Sequence, residues 1–599
     1  LAFQNVKANN LTADDMSYWH KLLHYRSKTF GRMESEVDDR NFFVSLNGKY
    51  SPGKELESFI QLLNSSEAQN LVCRFPLRYK WIRGVIKNNW KYTTDGCVIY
   101  NSFIQKLSAK NLSLVFSSYY TNNPASTFGH TFIRVSRYKE FNSNEMLDNA
   151  FNFSAEKSND DVLKYMIKGL SGFYKGQFSS VPYYYKIHEY NDYEFRDLWD
   201  FNLDLSQDQI DKVVDHLWEL GNAHFDYFYF TENCSYHILG LLNVAYGKVD
   251  IQKDLNHFFV LPLDTIKAMK KMGLIKERKF RPSVYRKLMK ETEGLTRNEL
   301  EIVKELARNP NQNNKSKANS AKLLDASITA FDYFNAEKVL LGDKKVNEQR
   351  SHLLIQRAEN PHISEELIFD QRRIGPPDEG HDPSRLGIFA GDRYGQGSYT
   401  GFEWRAAQHD LLDPSLGHLK SSQVVMFDTK FRLQTVHSTS RQFILDRFRF
   451  FDLKKYQPSN LWSQSTSFDL AFGLDQRRGC LSQNCLNPIL TFGVGKTIEL
   501  RDDFNLSLLI GGSYLFKSLI NLGPKLNFLI LKESYSLGLD TSYYLPNEVF
   551  TGWLSRVISF DLDFRYHLKP NRDLFFKTTH IDHDVWSEHE AHFGIYFYH

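Results

Sequence analysis

The sequence predicts a multidomain chain: a helical module over residues 1–100, an α+β unit over 101–263, a helical connector over 264–383, and an antiparallel transmembrane β-barrel of about twelve strands over 384–599. Three observations predict it. At 599 residues the chain is too long for one ordinary hydrophobic core. Helical patterns fill the first hundred residues and the stretch after 264, with strand patterns between them. After the run Pro376-Pro377-Asp378-Glu379-Gly380, strand-length alternation persists to the end of the chain.

In the first module, Ser17–Thr29 is amphipathic, Glu55–Leu63 follows a Pro-Gly turn, and Leu77–Trp90 mixes aromatic with basic residues. Such a module packs against or covers its neighbour. From Asn111 the period changes to two, with Leu112, Leu114 and Phe116 on one face, and the unit continues through a helix at Asp208–Gly221. Residues 264–350 read as helices with basic faces, broken by the polar run Asn309–Lys317, which is a solvated face.

In the last part, Phe427, Phe431 and Leu433 share a strand face while Asp428, Lys430, Arg432 and Gln434 share the other. The dyad recurs with Phe468, Leu470, Phe472 and Leu474 against Asp469, Ala471, Gly473 and Asp475, and with Phe560, Leu562, Phe564, Tyr566 and Leu568 against Asp561, Asp563, Arg565 and His567. A soluble sandwich also alternates. The strand number, aromatics at strand ends and an aromatic last strand, Phe593–His599, favour a membrane barrel with these Phe side chains toward lipid. Outer-membrane barrels typically end on Phe, and His599 departs from that. An even strand count puts both barrel ends on the periplasmic side, so the preceding units are expected in the periplasm, at the inner leaflet of the outer membrane.

The charge balance of +3, from 74 basic and 71 acidic residues, gives no nucleic-acid footprint. No run of about eighteen apolar residues exists, which excludes a transmembrane helix. Aromatic residues make up 15% of the chain, with 47 Phe and 32 Tyr, enough for a large core or lipid-facing girdles. Of five cysteines, Cys480 and Cys485 are close enough to staple a loop, and Cys73 with Cys97 makes a second candidate bridge, leaving Cys234 as a free thiol. That arithmetic fits an oxidising compartment, against the alternative of reduced cysteines in a cytosolic chain. The start at Leu1 without methionine is read as the mark of a removed secretory signal.

Cys234 stands where a loop becomes a helix, in Phe230–Leu239. A helix N-terminus carries partial positive charge and spare N–H groups, which favour a thiolate. Asn233 is a natural cap, and Ile238, Leu239, Leu241 and Leu242 supply an apolar face. The alternative is a buried structural cysteine. A base is offered by His130, at the start of a strand after a Pro-containing turn, in Asn123–Val135. His237, one helical turn past Cys234, competes for that role.

The stretches Asn123–Val135, Phe230–Leu242, Trp199–Leu205 and His216–Leu220 resemble the Lnb N-terminal periplasmic domain family over roughly residues 100–260. The segments around Trp19–Tyr25, Cys73–Pro76 and Gly375–His381 resemble the neighbours of that domain in Gram-negative relatives. The family takes its name from a lipoprotein N-acyltransferase and is similar to permuted papain-like (NlpC-like) α+β folds in which the histidine strand precedes the cysteine helix. The resemblance implies Cys234 as nucleophile, His130 as base and Asn152, on a later strand, as the group that orients His130, with a loop or strand-end Asn that satisfies backbone as the alternative for Asn152. Backbone N–H groups at the helix start, with the Asn233 side chain, are expected to hold the oxyanion. Ser126 and Glu232 are candidate lining residues, with turn and cap roles as the alternative.

The function this implies is an outer-membrane-anchored cysteine acyltransferase or lipid-directed hydrolase working on lipoprotein or phospholipid through an acyl-enzyme. A cysteine peptidase or amidase on peptidoglycan peptides and a non-enzymatic lipid-binding or transport barrel are the alternatives. The expected partners are outer-membrane lipids, with lipoproteins or peptidoglycan as further candidates. No cofactor is expected. The histidines around His580-Ile581-Asp582-His583, with His589 and His592, are too irregularly spaced to predict a metal site, and Gly391–Gly397 reads as a barrel turn.

Overall fold

The computed structural model describes residues 11–28, 31–86, 88–120, 128–141, 144–156, 164, 168–169, 171–247, 249–253, 255, 259–310, 320–436, 440–476, 486–515, 519–544, 556–583 and 586–599. Two compact units divide the chain, Leu1–Ile368 and Phe369–His599.

The first unit begins with helices at Ala13–Leu22, Pro52–Leu63, Ala68–Arg74, Pro76–Val85 and Val98–Leu107, and a short hairpin of β1 (Tyr25–Ser27) and β2 (Met33–Ser35). Local chemistry sets their starts. Thr12 and Asp15 form a reciprocal capping box, and Ser51 caps the helix that Pro52 opens. Cys73 and Cys97, the second candidate bridge, are disulfide-bonded with Cα atoms 5.2 Å apart. Cys480 and Cys485 lie outside the described residues, and among those described Cys234 is the free thiol.

These helices are docked on the α+β part rather than standing apart from it. Arg78 is fully buried with Glu55 at 3.8 Å and Glu219 at 3.3 Å, the latter from the helix Gln207–Leu220. Trp218 on the same helix donates its indole N–H to the Cys73 carbonyl at 2.9 Å. Burying three charges so closely is tolerable only while all three are present.

The α+β part is one antiparallel sheet in the order β8-β6-β5-β4-β3-β7-β9. Its strands are β3 (Asn111–Ser117), β4 (His130–Ser136), β5 (Asn149–Ala155), β6 (Tyr174–Pro182), β7 (Leu198–Leu203), β8 (His224–Tyr227) and β9 (Ile275–Arg281). In β3 and β4 every residue after the first is buried, so both faces are covered. One face carries Val115, Phe132 and Ala150 against Tyr183, Ile187 and Tyr190. The other carries Phe153, whose ring meets His237 of the helix Cys234–Asn243 at 4.4 Å. β9 comes from the stretch expected to be wholly helical, so the sheet runs past residue 263. Its Lys and Arg residues mask the strand pattern and suit an exposed sheet edge. Helices resume at Val284 and continue to Glu359.

The second unit is a closed antiparallel barrel of twelve strands between Arg385 and Tyr598, its last strand pairing with its first from Arg385↔Tyr598 to Arg393↔Glu590. Along Ser467–Gln476, Ser467, Asp469, Ala471 and Gly473 are buried while Phe468, Leu470, Phe472 and Leu474 are half-exposed. Phe560 and Phe564 are 40% and 38% exposed, and Phe431 stacks between Phe402 and the exposed Phe443. The apolar side of each strand therefore faces outward and the polar side inward, the inverse of a soluble core. Ion pairs line the lumen, including Arg447–Asp428 and Arg449–Asp475, both at 2.6 Å, and Lys525–Asp469 at 2.9 Å.

The turn at 410–421, between the second and third barrel strands, folds into the lumen. Leu411 and Leu412 join Tyr456, Leu509, Leu529 and Leu531 in a buried cluster. Asp413 in this turn accepts hydrogen bonds from Arg385 at 2.9 Å, Arg405 at 2.5 Å, Arg565 at 2.7 Å and the Tyr598 hydroxyl at 2.8 Å. The turn thus closes one end of a lumen cavity of about 1070 Å³ lined by paired charges.

A candidate cysteine–histidine active site

Two backbone features place the reacting groups. Gly129, at φ +87°, puts the chain into a conformation that L-residues avoid, and a Cβ there would come within 2.7 Å of the Phe116 ring. His130 follows as the first residue of β4. On the other element, Asn233 caps the helix: its Oδ1 accepts from the N–H groups of Ser235 at 3.1 Å and Tyr236 at 3.4 Å, and Cys234 is the first helical residue.

The two elements bring the thiol and the imidazole into hydrogen-bond contact. Burial pushes the Cys234 thiol up, but the charge and hydrogen bond of His130, a backbone N–H from Thr131 and the Ser235 hydroxyl outweigh it and lower the pKa to about 7. The Ser235 hydroxyl lies 3.7 Å from Sγ and 3.1 Å from the Thr131 hydroxyl, which ties the cysteine helix to the histidine strand.

Asn152 of β5 completes the line. Its Oδ1 lies 2.5 Å from His130 Nε2. A carbonyl oxygen only accepts, so Nε2 carries the proton and a neutral ring keeps its lone pair on Nδ1, free to accept a proton. Tyr190 packs against the imidazole, with ring centroids 5.7 Å apart, and the Arg196 guanidinium lies over the Tyr190 ring at 4.9 Å. The arrangement can take a proton from Cys234, hold the resulting imidazolium in place and return the proton to a leaving group.

Cys234, His130 and Asn152 are therefore neighbours, and the competitor is elsewhere. The His237 ring is packed between Phe153 at 4.4 Å and Phe225 at 4.3 Å, on the sheet face away from Asn152. Asn233 departs from the expected oxyanion role. Both protons of its amide go to backbone carbonyls, of Tyr229 at 3.0 Å and Val260 at 2.5 Å, so it has none to give a substrate. The cap spends the Ser235 and Tyr236 N–H groups, which makes the Cys234 N–H the first-turn donor it does not use. Glu232 pairs with Lys28 at 3.4 Å, and Ser126 lies outside the described residues. Thr131, Ser235 and Tyr190 are the site residues that sequence reasoning did not single out. The first two adjoin the singled-out His and Cys, whereas Tyr190, on a π-helical turn, had no signal.

Residues 100–272 match the model of the Lnb N-terminal periplasmic domain. This Lnb-like unit contains Cys234, His130 and Asn152. Residues 375–598 and 11–84 match two domains of unknown function, DUF7840 and DUF7843. Among solved structures, the KdgM porin is similar at 10% identity over 36% of this chain and 98% of that one, with a TM-score of 0.22. Outer membrane phospholipase A from Escherichia coli is similar at 10% identity over 36% of this chain and 90% of that one, with a TM-score of 0.23. No curated protein matches. The chain is thus a periplasmic Lnb-like unit fused to an outer-membrane β-barrel.

Proposed function

We propose that the Lnb-like unit is a cysteine acyltransferase or lipid-directed hydrolase that works through an acyl-enzyme. The observation that carries this reading is the line Cys234, His130, Asn152 with a thiol pKa brought down to about 7 in a buried site. A structural cysteine needs no such partner, and burial alone raises a thiol pKa.

In the first step His130 Nδ1 takes the thiol proton and Sγ attacks an ester or amide carbonyl. The Cys234 N–H stabilises the oxyanion, an effect worth about 3 kcal/mol for one donor. Collapse of the intermediate expels an alcohol or amine, which takes the proton from His130 and leaves a thioester on Cys234. An amine acceptor then completes transfer, or water completes hydrolysis, with His130 again moving the proton. Phe128 and Phe230, from the histidine and cysteine motifs, form with Phe259 a chain of rings at 6.0 and 5.2 Å. Such a wall favours an acyl chain over a charged peptide.

The test is intact-mass measurement of the full chain in detergent after incubation with labelled phospholipid. An acyl mass on the parent that is absent from Cys234→Ala supports the proposal. Absence of any adduct, or cleavage of muropeptides in its place, overturns it.

A further inference from the structure

Three buried histidines meet at the end of the barrel where its first strand begins and its last strand finishes. His381 precedes the first strand, His409 ends the second, and His418 lies in the lumen turn at 410–421. They are 0%, 5% and 8% exposed, and one ring nitrogen from each lies within 4.8 Å of the other two. We propose that this trio binds a divalent first-row transition ion of the zinc type, with Asp413 beside it.

The hydrogen bonds favour a ligand. His381 Nδ1 is 2.7 Å from the Asp382 carbonyl oxygen, an acceptor only, so Nδ1 is protonated and Nε2 holds the lone pair. That contact is the outer-shell device that fixes the tautomer of a metal-binding imidazole. Nε2 points at His409 Nδ1, 2.9 Å away, and lies 3.8 Å from Asp413 Oδ2.

The rings must turn to close on an ion. His418 stacks on His381 at 4.2 Å and 17° and on His409 at 4.3 Å and 1°. An imidazole lone pair lies in its ring plane, and nitrogens on a tetrahedral ion at about 2.0–2.1 Å sit about 3.3 Å apart. Binding therefore rotates His418 out of the stack and replaces the His381–His409 hydrogen bond by two metal bonds. Imidazole donors select zinc, copper or nickel over calcium or magnesium. Asp413 is already shared among Arg385, Arg405 and Arg565, so the imidazoles supply most of the ligation. An ion held here ties the segment before the first strand, the end of the second strand and the lumen turn together.

The experiment uses the full chain in detergent, stripped with chelator and titrated with Co²⁺ and then Zn²⁺. One Co²⁺ per chain is expected, with visible d–d absorption that Zn²⁺ abolishes. His418→Ala is expected to weaken binding about tenfold or more, whereas His580→Ala, at the separate His580–His589 ring pair, leaves it unchanged. Heat-shifted gel migration reports whether each barrel has closed, and His418→Gln replaces the alanine variant if that one fails to close. Failure of the parent to bind Co²⁺ stoichiometrically, or binding unchanged in a closed His418 variant, overturns the proposal.

Discussion

The seven-stranded sheet and the barrel are both antiparallel, yet they bury opposite things. β3 and β4 are buried at all positions but the first, whereas Ser467–Gln476 alternates a buried polar or small side with a half-exposed Phe and Leu side. The pattern of a strand reports what lies on each of its faces, helices on both in one case, lumen and lipid in the other. The difference extends to charge. The barrel interior sets its charges against one another, with Asp, Glu, Arg and Lys all lining the lumen. In the sheet unit the thiol sits where burial opposes ionisation, and His130 reverses that effect.

The largest effect expected is at that imidazole. In His130→Ala the burial penalty on Cys234 stands unopposed by its chief partner, so the thiol pKa rises above 7 and the thiolate fraction at neutral pH falls. Alkylation followed against pH should shift to higher pH, and acyl transfer should drop by about 10²–10⁴-fold. An unchanged alkylation profile would mean that the two units treat buried ionisable groups alike.

Next comes Arg78. Removing it leaves Glu55 and Glu219 buried without their counter-charge, at a cost of about 3–5 kcal/mol. Arg78→Ala should lower the unfolding midpoint of the first unit while the heat-shifted migration of the barrel stays the same.

Legibility followed the same divide. The barrel was readable because one alternating pattern repeats across many strands, and the Cys234 and His130 motifs because each carries its own local signal, a cap before a helix and a turn before a strand. What could not be read depends on distant segments meeting. β9 is masked by its Lys and Arg residues. The Asn233 amide is committed because the Tyr229 and Val260 carbonyls converge on it. Arg78 joins a helix of the first module to another more than a hundred residues on, and the histidines at 381, 409 and 418 gather only once the barrel closes.

The outward face of the barrel offers a third way to sharpen the contrast. Phe564 lies near the middle of its strand with 38% of its surface exposed to the surroundings of the barrel. Phe564→Arg should cost about 2–4 kcal/mol in a bilayer. In a water-facing sheet the same exchange at a half-exposed site would cost little. Unfolding of the barrel in lipid vesicles measures it, and a loss below about 0.5 kcal/mol would remove the lipid-facing assignment of that side.

The smallest effect is expected at Asn152, which acts on the thiol only through His130. Its Oδ1 fixes the ring with the proton on Nε2. Without it the alternative tautomer, which presents an N–H to the thiol, becomes accessible. One hydrogen bond of this kind is worth about 1 kcal/mol, so Asn152→Ala should slow neutral-pH alkylation of Cys234 by about fivefold. A merely structural role would destabilise the unit without moving the pH profile. Asn152→Asp separates the two readings further. A carboxylate still accepts from Nε2 and adds negative charge beside the imidazole, which favours the imidazolium and moves thiolate formation to lower pH. Identical pH profiles for the parent, Asn152→Ala and Asn152→Asp would remove Asn152 from the site and leave the pair Cys234 and His130 to act alone.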